Sequence, residues 1–84
     1  MAMSAYELIK KFITKDKVLY RIYVETCDDD GNITDTDLEV MSDTRHLDAD
    51  RNYYLSLAVS RWTLEPLNKV YTTDFDYAMN VYVR

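Results

Sequence analysis

The stretch that most constrains the fold runs from Val18 to Met41, two alternating segments around the turn sequence Asp28-Asp29-Asp30-Gly31-Asn32. In the first segment Val18, Tyr20, Ile22, Val24 and Thr26 share one face, and Leu19, Arg21, Tyr23, Glu25 and Cys27 share the other. Alternation carried by β-branched and aromatic residues is the pattern of a half-buried strand. The second segment, Ile33 to Met41, places Thr34, Thr36, Leu38 and Val40 on one face. A three-residue loop, Asp29-Asp30-Gly31, sets Gly31 at the left-handed position of a type I turn with a G1 bulge. It pairs Thr26 with Thr34, Val24 with Thr36, Ile22 with Leu38 and Tyr20 with Val40 on one face. On the other face it sets Arg21 against Glu39, and Glu25 against Asp35, a like-charge pair. A two-residue Asp30-Gly31 loop would instead bring Val24 against Asp37 and Ile22 against Glu39. Register follows the buried face, so the three-residue loop is expected.

The flanks read as follows. Ser4-Ala5-Tyr6-Glu7 fits a capping box, and Ala5, Leu8, Ile9 and Phe12 follow helical spacing, predicting a helix over about 5–14. Ser42 to Leu47 is a connection. Asp48 fits an N-cap, and Leu55, Ala58, Val59 and Trp62 predict a second amphipathic helix closed by Pro66. The same segment also alternates as a strand would, with Tyr54, Ser56, Ala58, Ser60 and Trp62 on one side; the cap and the length favour helix. Residues 69–84 return to strand, with Phe75, Tyr77, Met79, Val81 and Val83 alternating and a short strand expected at Val70 to Thr72. The expected fold is α+β: a small antiparallel sheet of three to four strands with two helices packed on one face, in the order α-β-β-α-β(β). At 84 residues, 1–84 is expected to be one domain with a modest core.

Charge is segregated. Ten carboxylates lie between Glu25 and Asp50 (Glu25, Asp28, Asp29, Asp30, Asp35, Asp37, Glu39, Asp43, Asp48 and Asp50) with Arg45 the one cation, a net of -9. Residues 1–24 carry +3 and residues 51–84 carry +1, which leaves the whole chain at -5. Such a balance argues against direct binding to phosphate backbones, which takes clustered Lys or Arg. A lone cysteine, Cys27, excludes an internal disulfide and a multi-cysteine zinc site. With no basic and apolar leader at Met1 to Ala5, and no apolar run long enough to span a bilayer, a reducing, cytoplasmic setting is expected.

Three constellations touch on chemistry. Asp28-x-Asp30-Gly31-x-Ile33 overlaps the third to eighth positions of an EF-hand loop with Asp37 at the twelfth, but Thr26 stands first and strand replaces the entering helix. The expectation is a solvated turn and no cofactor. His46 between Asp43 and Asp48 lacks a partner nucleophile in any recognisable motif, so no enzyme is expected. The third is the acidic face. Asp35, Asp37 and Glu39 repeat at i, i+2 and i+4, about 6.6–6.8 Å apart on a strand, close to the step between phosphates. Asp28, Asp29, Asp30 and Asp43 extend the row, and Tyr23, opposite Asp37 in the expected register, adds a ring among the charges.

These eight residues are the candidate partner-binding set for a small acidic inhibitor or regulator that occupies the groove of a basic, nucleic-acid-binding protein. Small acidic antidefence proteins of phages, anti-CRISPR proteins among them, share this size and charge, without a shared motif. The alternative is a structural or assembly subunit that forms a homodimer through a sheet edge, for example its C-terminal strand.

Overall fold

A computed structural model describes residues 3–14, 16–50, 52–67 and 74–84. Four strands form one sheet: β1 (Val18–Cys27), β2 (Ile33–Asp43), β3 (Val59–Pro66) and β4 (Tyr77–Val83), in the order β2-β1-β4-β3. The outer pairs are antiparallel and the central pair, β1 with β4, is parallel, so the sheet is mixed rather than antiparallel as expected. α1 (Ala5–Lys10) is the one α-helix among the described residues, accompanied by 3₁₀ turns at Thr44–His46 and Tyr53–Ser56. The expected strand at Val70 to Thr72 lies outside the described residues.

α1 starts where the capping box placed it. Ser4 accepts from the Glu7 amide at 3.2 Å, and its hydroxyl donates to the Glu7 carboxylate at 3.3 Å. The helix stops at Lys10, short of the expected residue 14. The amides of Lys11 and Phe12 bond back to the carbonyls of Leu8 and Ile9, a tightened last turn.

The expected second helix does not form, and the fold class is corrected to one helix on a mixed sheet. The Asn52 side chain caps a single 3₁₀ turn, after which Leu57 is extended with ψ at 151°. From Val59 the chain pairs along β4, where β-branched and aromatic residues sit well on a pleated surface. The strand reading of this segment prevails from Val59 to Pro66, and Pro66 ends an edge strand. Asp48, expected as the helix cap, instead accepts from the Tyr6 hydroxyl.

The core lies on one face of the sheet. Val18, Tyr20 and Ile22 of β1 and Met79, Val81 and Val83 of β4 meet Ala5, Leu8 and Ile9 of α1, with Leu47 and Leu55 from the connection. Tyr20 is fully buried with its hydroxyl 3.3 Å from Asp50, which also accepts from Ser42. Burial first, and then the charge of Asp50, push the Tyr20 phenol up to about 12. β4 is paired on both sides and mostly buried, so the C-terminal strand offers no edge for self-association.

The hairpin turn forms as expected: Gly31 has φ of 84°, its amide bonds to the Asp28 carbonyl, and Asp28 bonds to Asn32. Nothing lies within 4 Å of where a Gly31 Cβ would stand, so only the backbone resists a side chain there. Gly31→Ala is therefore expected to cost about 1–2 kcal/mol. Gly31→Asn should cost less, because Asn tolerates the left-handed region. Urea titrations of both variants check the ranking.

Beyond the turn the register slips twice. Cys27 faces Ile33 as the three-residue loop requires, but a bulge then sets Thr26 against Asp35 and Val24 against Asp37. A second bulge at Glu39 restores Ile22 to an apolar partner, Val40, and Tyr20 to Ser42. The first slip turns Asp35 and Asp37 towards the helix-bearing side; the second prevents Glu39 from facing Ile22 in the core.

Candidate functional site

The pairing of β1 with β4 ends at Val24 and Val83. The hairpin past Glu25, Thr26 to Asp35, is two-stranded and forms an arm beyond the rest of the sheet. The long axis is 42 Å and the radius of gyration 13.3 Å, against about 12 Å for a compact chain of this length.

The arm and its base carry the acids: Asp28, Asp29, Asp30 and Asp35 stand on the arm, and Asp37 and Glu39 lie where β2 rejoins the sheet. From Asp28 to Glu39 the sequence holds six carboxylates and no cation. Asp28, Asp29, Asp30, Asp35, Asp37 and Glu39 are all exposed. Some of them are occupied locally. Asp28 accepts from the amides of Asp30 and Asn32 at 3.0 and 2.9 Å and so holds the turn. Asp35 accepts from the Thr36 amide. The Tyr54 phenol is raised, first of all by the charge of Glu39 at the second bulge. Asp43 is half-buried and caps the 3₁₀ turn at Thr44 through the Arg45 amide. Among the described residues the Asp29, Asp30 and Asp37 side chains bond to no other residue.

The expected row is thus partly rebuilt. Asp35 and Asp37 do share a face, on the helix-bearing side, while the bulge breaks the spacing before Glu39. Tyr23 is not among them: it pairs with Leu38 on the opposite face and stacks on Tyr82, ring centroids 5.0 Å apart at 16°. The EF-hand overlap is split as well. Asp37 lies five residues along extended chain from Asn32, about 17 Å at the rise of a strand. Among the described residues no three His, Cys, Asp or Glu side chains converge into a metal-binding set.

The face away from the core holds a polar network that the sequence reading did not anticipate. Arg21 reaches Asn80 at 3.4 Å and Glu65 at 3.6 Å, and Asn80 also donates to Thr63 and Glu65. Arg61 lies 3.9 Å over the Tyr82 ring. Glu25 is the centre of a second cluster: Ser60 donates to it at 2.6 Å, with Arg61 at 3.4 Å and Arg84 at 3.6 Å. Its side chain is 0% exposed, although the charge pattern alone grouped it with the solvated acids. Burial pulls its carboxyl up, but Ser60, Arg61 and Arg84 together outweigh burial and hold it below the usual carboxylate range. These three arginines serve Glu25 and Glu65, not the arm.

A hollow of about 390 Å³ lies between α1 and the second 3₁₀ turn, lined by Ser4, Tyr6, Asn52, Leu55 and Ser56. Its Ser4, Asn52 and Ser56 side chains are engaged by nearby backbone in caps and turns. His46 is exposed in the first 3₁₀ turn, and the Ser42 hydroxyl donates to Asp50. Among the described residues no helix is long and apolar enough to cross a membrane. No family model, curated protein or solved structure matches the chain.

Proposed function

We propose that this chain is a small binding protein, without catalysis of its own, that inhibits or regulates a basic partner by seating its acidic arm in a nucleic-acid-binding groove. The observation that carries this reading is the arm: exposed acids on a two-stranded projection whose cationic neighbours are engaged elsewhere. A projecting hairpin enters a groove that a flat face cannot. Its field steers association and falls away with salt over a Debye length of about 8 Å at physiological ionic strength. Asp35 and Asp37, one strand repeat apart, supply two charges at about the phosphate step. An antidefence role of the anti-CRISPR kind, in the cytoplasm of an infected cell, is the biological setting this chemistry fits.

The test compares wild type with a variant carrying Asp29→Lys, Asp35→Lys and Asp37→Lys in pull-downs from host lysate. Glu39 is left intact because its charge acts on Tyr54. Circular dichroism should be unchanged, since the Asp29 and Asp37 side chains bond to no other described residue and the Asp35 side chain only to the adjacent amide. Wild type should recover a nucleic-acid-binding protein that added DNA or RNA displaces, and the variant should bind it at least about 100-fold more weakly, with a flatter salt dependence. Equal recovery by both chains would move the interface off the arm.

A further inference from the structure

The two edges of the sheet are opposite in character. Pairing the β2 edge with its own copy about Asp37 would set Asp37 against itself and Asp35 against Glu39, all like charges. The β3 edge is self-complementary. Its start is covered, because Ser4 bridges Ala58 and the Met3 carbonyl takes the Val59 amide. Its end is Pro66, which has no amide to offer. Between those stops lie Arg61 to Glu65, an exposed segment centred on Thr63. Antiparallel pairing about Thr63 sets Arg61 against Glu65, Trp62 against Leu64, and Thr63 against Thr63. Moving the axis to Trp62 or Leu64 loses both charge pairs.

The apolar side of this edge is unusually bare for so small a chain. Trp62 is 44% exposed and Leu64 40%, and Ile13 is 46% exposed beside Phe12, whose ring meets Trp62 at 5.3 Å. Arg61 and Glu65 keep about half their side-chain surface in water despite their contacts within the chain. Each therefore has donor or acceptor capacity left for a facing partner.

We infer that the occupant of the β3 edge is a second copy of this chain, paired antiparallel about Thr63 into a continuous eight-stranded sheet. The symmetry is isologous: each Arg61 meets the other copy's Glu65, and the two Trp62–Leu64 contacts close the apolar side. The acidic arms then stand at the two far ends. A partner with paired grooves would be engaged twice, whereas the dimer itself does not depend on what the arms bind.

Two measurements test the pairing. By light scattering, wild type should pass from 9.9 kDa towards twice that mass as concentration rises. Thr63→Asp, which faces like charges across the axis, should remain a monomer with an unchanged circular dichroism spectrum. In the second, Thr63→Cys in a Cys27→Ser background should cross-link to a covalent dimer under mild oxidation, because facing Cα atoms in an antiparallel pair stand about 4.5–5.5 Å apart, within disulfide reach. Asp37→Cys in the same background should not. A folded wild type that stays at monomer mass throughout overturns the proposal and leaves the edge to a different chain. A dimer indifferent to Thr63→Asp, or equal cross-linking from position 37, overturns the register.

Discussion

Ile22→Ala is expected to destabilise the protein by about 3–4 kcal/mol, a large part of the stability of so small a chain. Ile22 is fully buried at the middle of β1, the strand that joins the two halves of the sheet. It faces Val81 across the parallel pair and Val40 across the antiparallel one. Truncation removes apolar area and leaves a cavity walled by strands on both sides, which cannot close it without breaking a ladder. Val40 would also lose the apolar partner that the Glu39 bulge serves to place. Ile22→Val should cost about 1 kcal/mol, because the β-branched shape is retained. Chemical denaturation with an unchanged m-value would attribute the loss to the folded state. A cost for Ile22→Ala below that of Gly31→Ala would mean the sheet centre is not where the stability resides.

What the sequence disclosed and what it hid divide along the range of the forces involved. The turn at Gly31, the β1 alternation, the Ser4 cap and the strand at residues 77–83 are local, since each is set by residues within a few positions of one another. The bulges at Thr34 and Glu39 are not visible in alternation, because one unpaired residue leaves the pattern on either side intact while exchanging the faces. The second offsets the slip of the first so that Ile22 keeps an apolar partner, and only the whole hairpin can weigh those terms. The Val59 to Pro66 segment misled because Leu55, Ala58, Val59 and Trp62 match a helix by spacing alone. Its true partner, β4, lies beyond the next connection, and tertiary pairing overrode the local preference. The same limit applies to the sites. The exposed acids of the turn were legible as a run of charge, whereas Tyr23 changed company with the register. The burial of Glu25 depends on Ser60 and Arg61, 35 and 36 residues away, and on Arg84 at the far end of the chain.

Glu25 carries the other large expected effect. Glu25→Ala should cost about 2–4 kcal/mol: it empties a buried site, strips the Ser60 hydroxyl of its acceptor and leaves Arg61 and Arg84 beside apolar surface. The figure stays below that for a wholly buried ion pair because both arginines are about half exposed and regain water. Glu25→Gln keeps the shape and an acceptor for Ser60 and loses only the charge, for about 1–3 kcal/mol. The two variants separate packing from electrostatics, and pH makes the separation sharper. The folded carboxyl lies below its ordinary value of 4.5, so the folded state binds fewer protons than the unfolded state in this range. The contribution of Glu25 is therefore complete above about pH 4.5 and is lost as pH falls through the lower folded value. Wild type should lose stability on acidification faster than Glu25→Gln, and the difference between the two curves should shrink as the carboxyl protonates. The remaining carboxylates are common to both chains and cancel in that difference. Parallel curves from pH 7 to pH 3 would show that burial cancels the combined pull of Ser60, Arg61 and Arg84 and that the Glu25 charge adds no net stability.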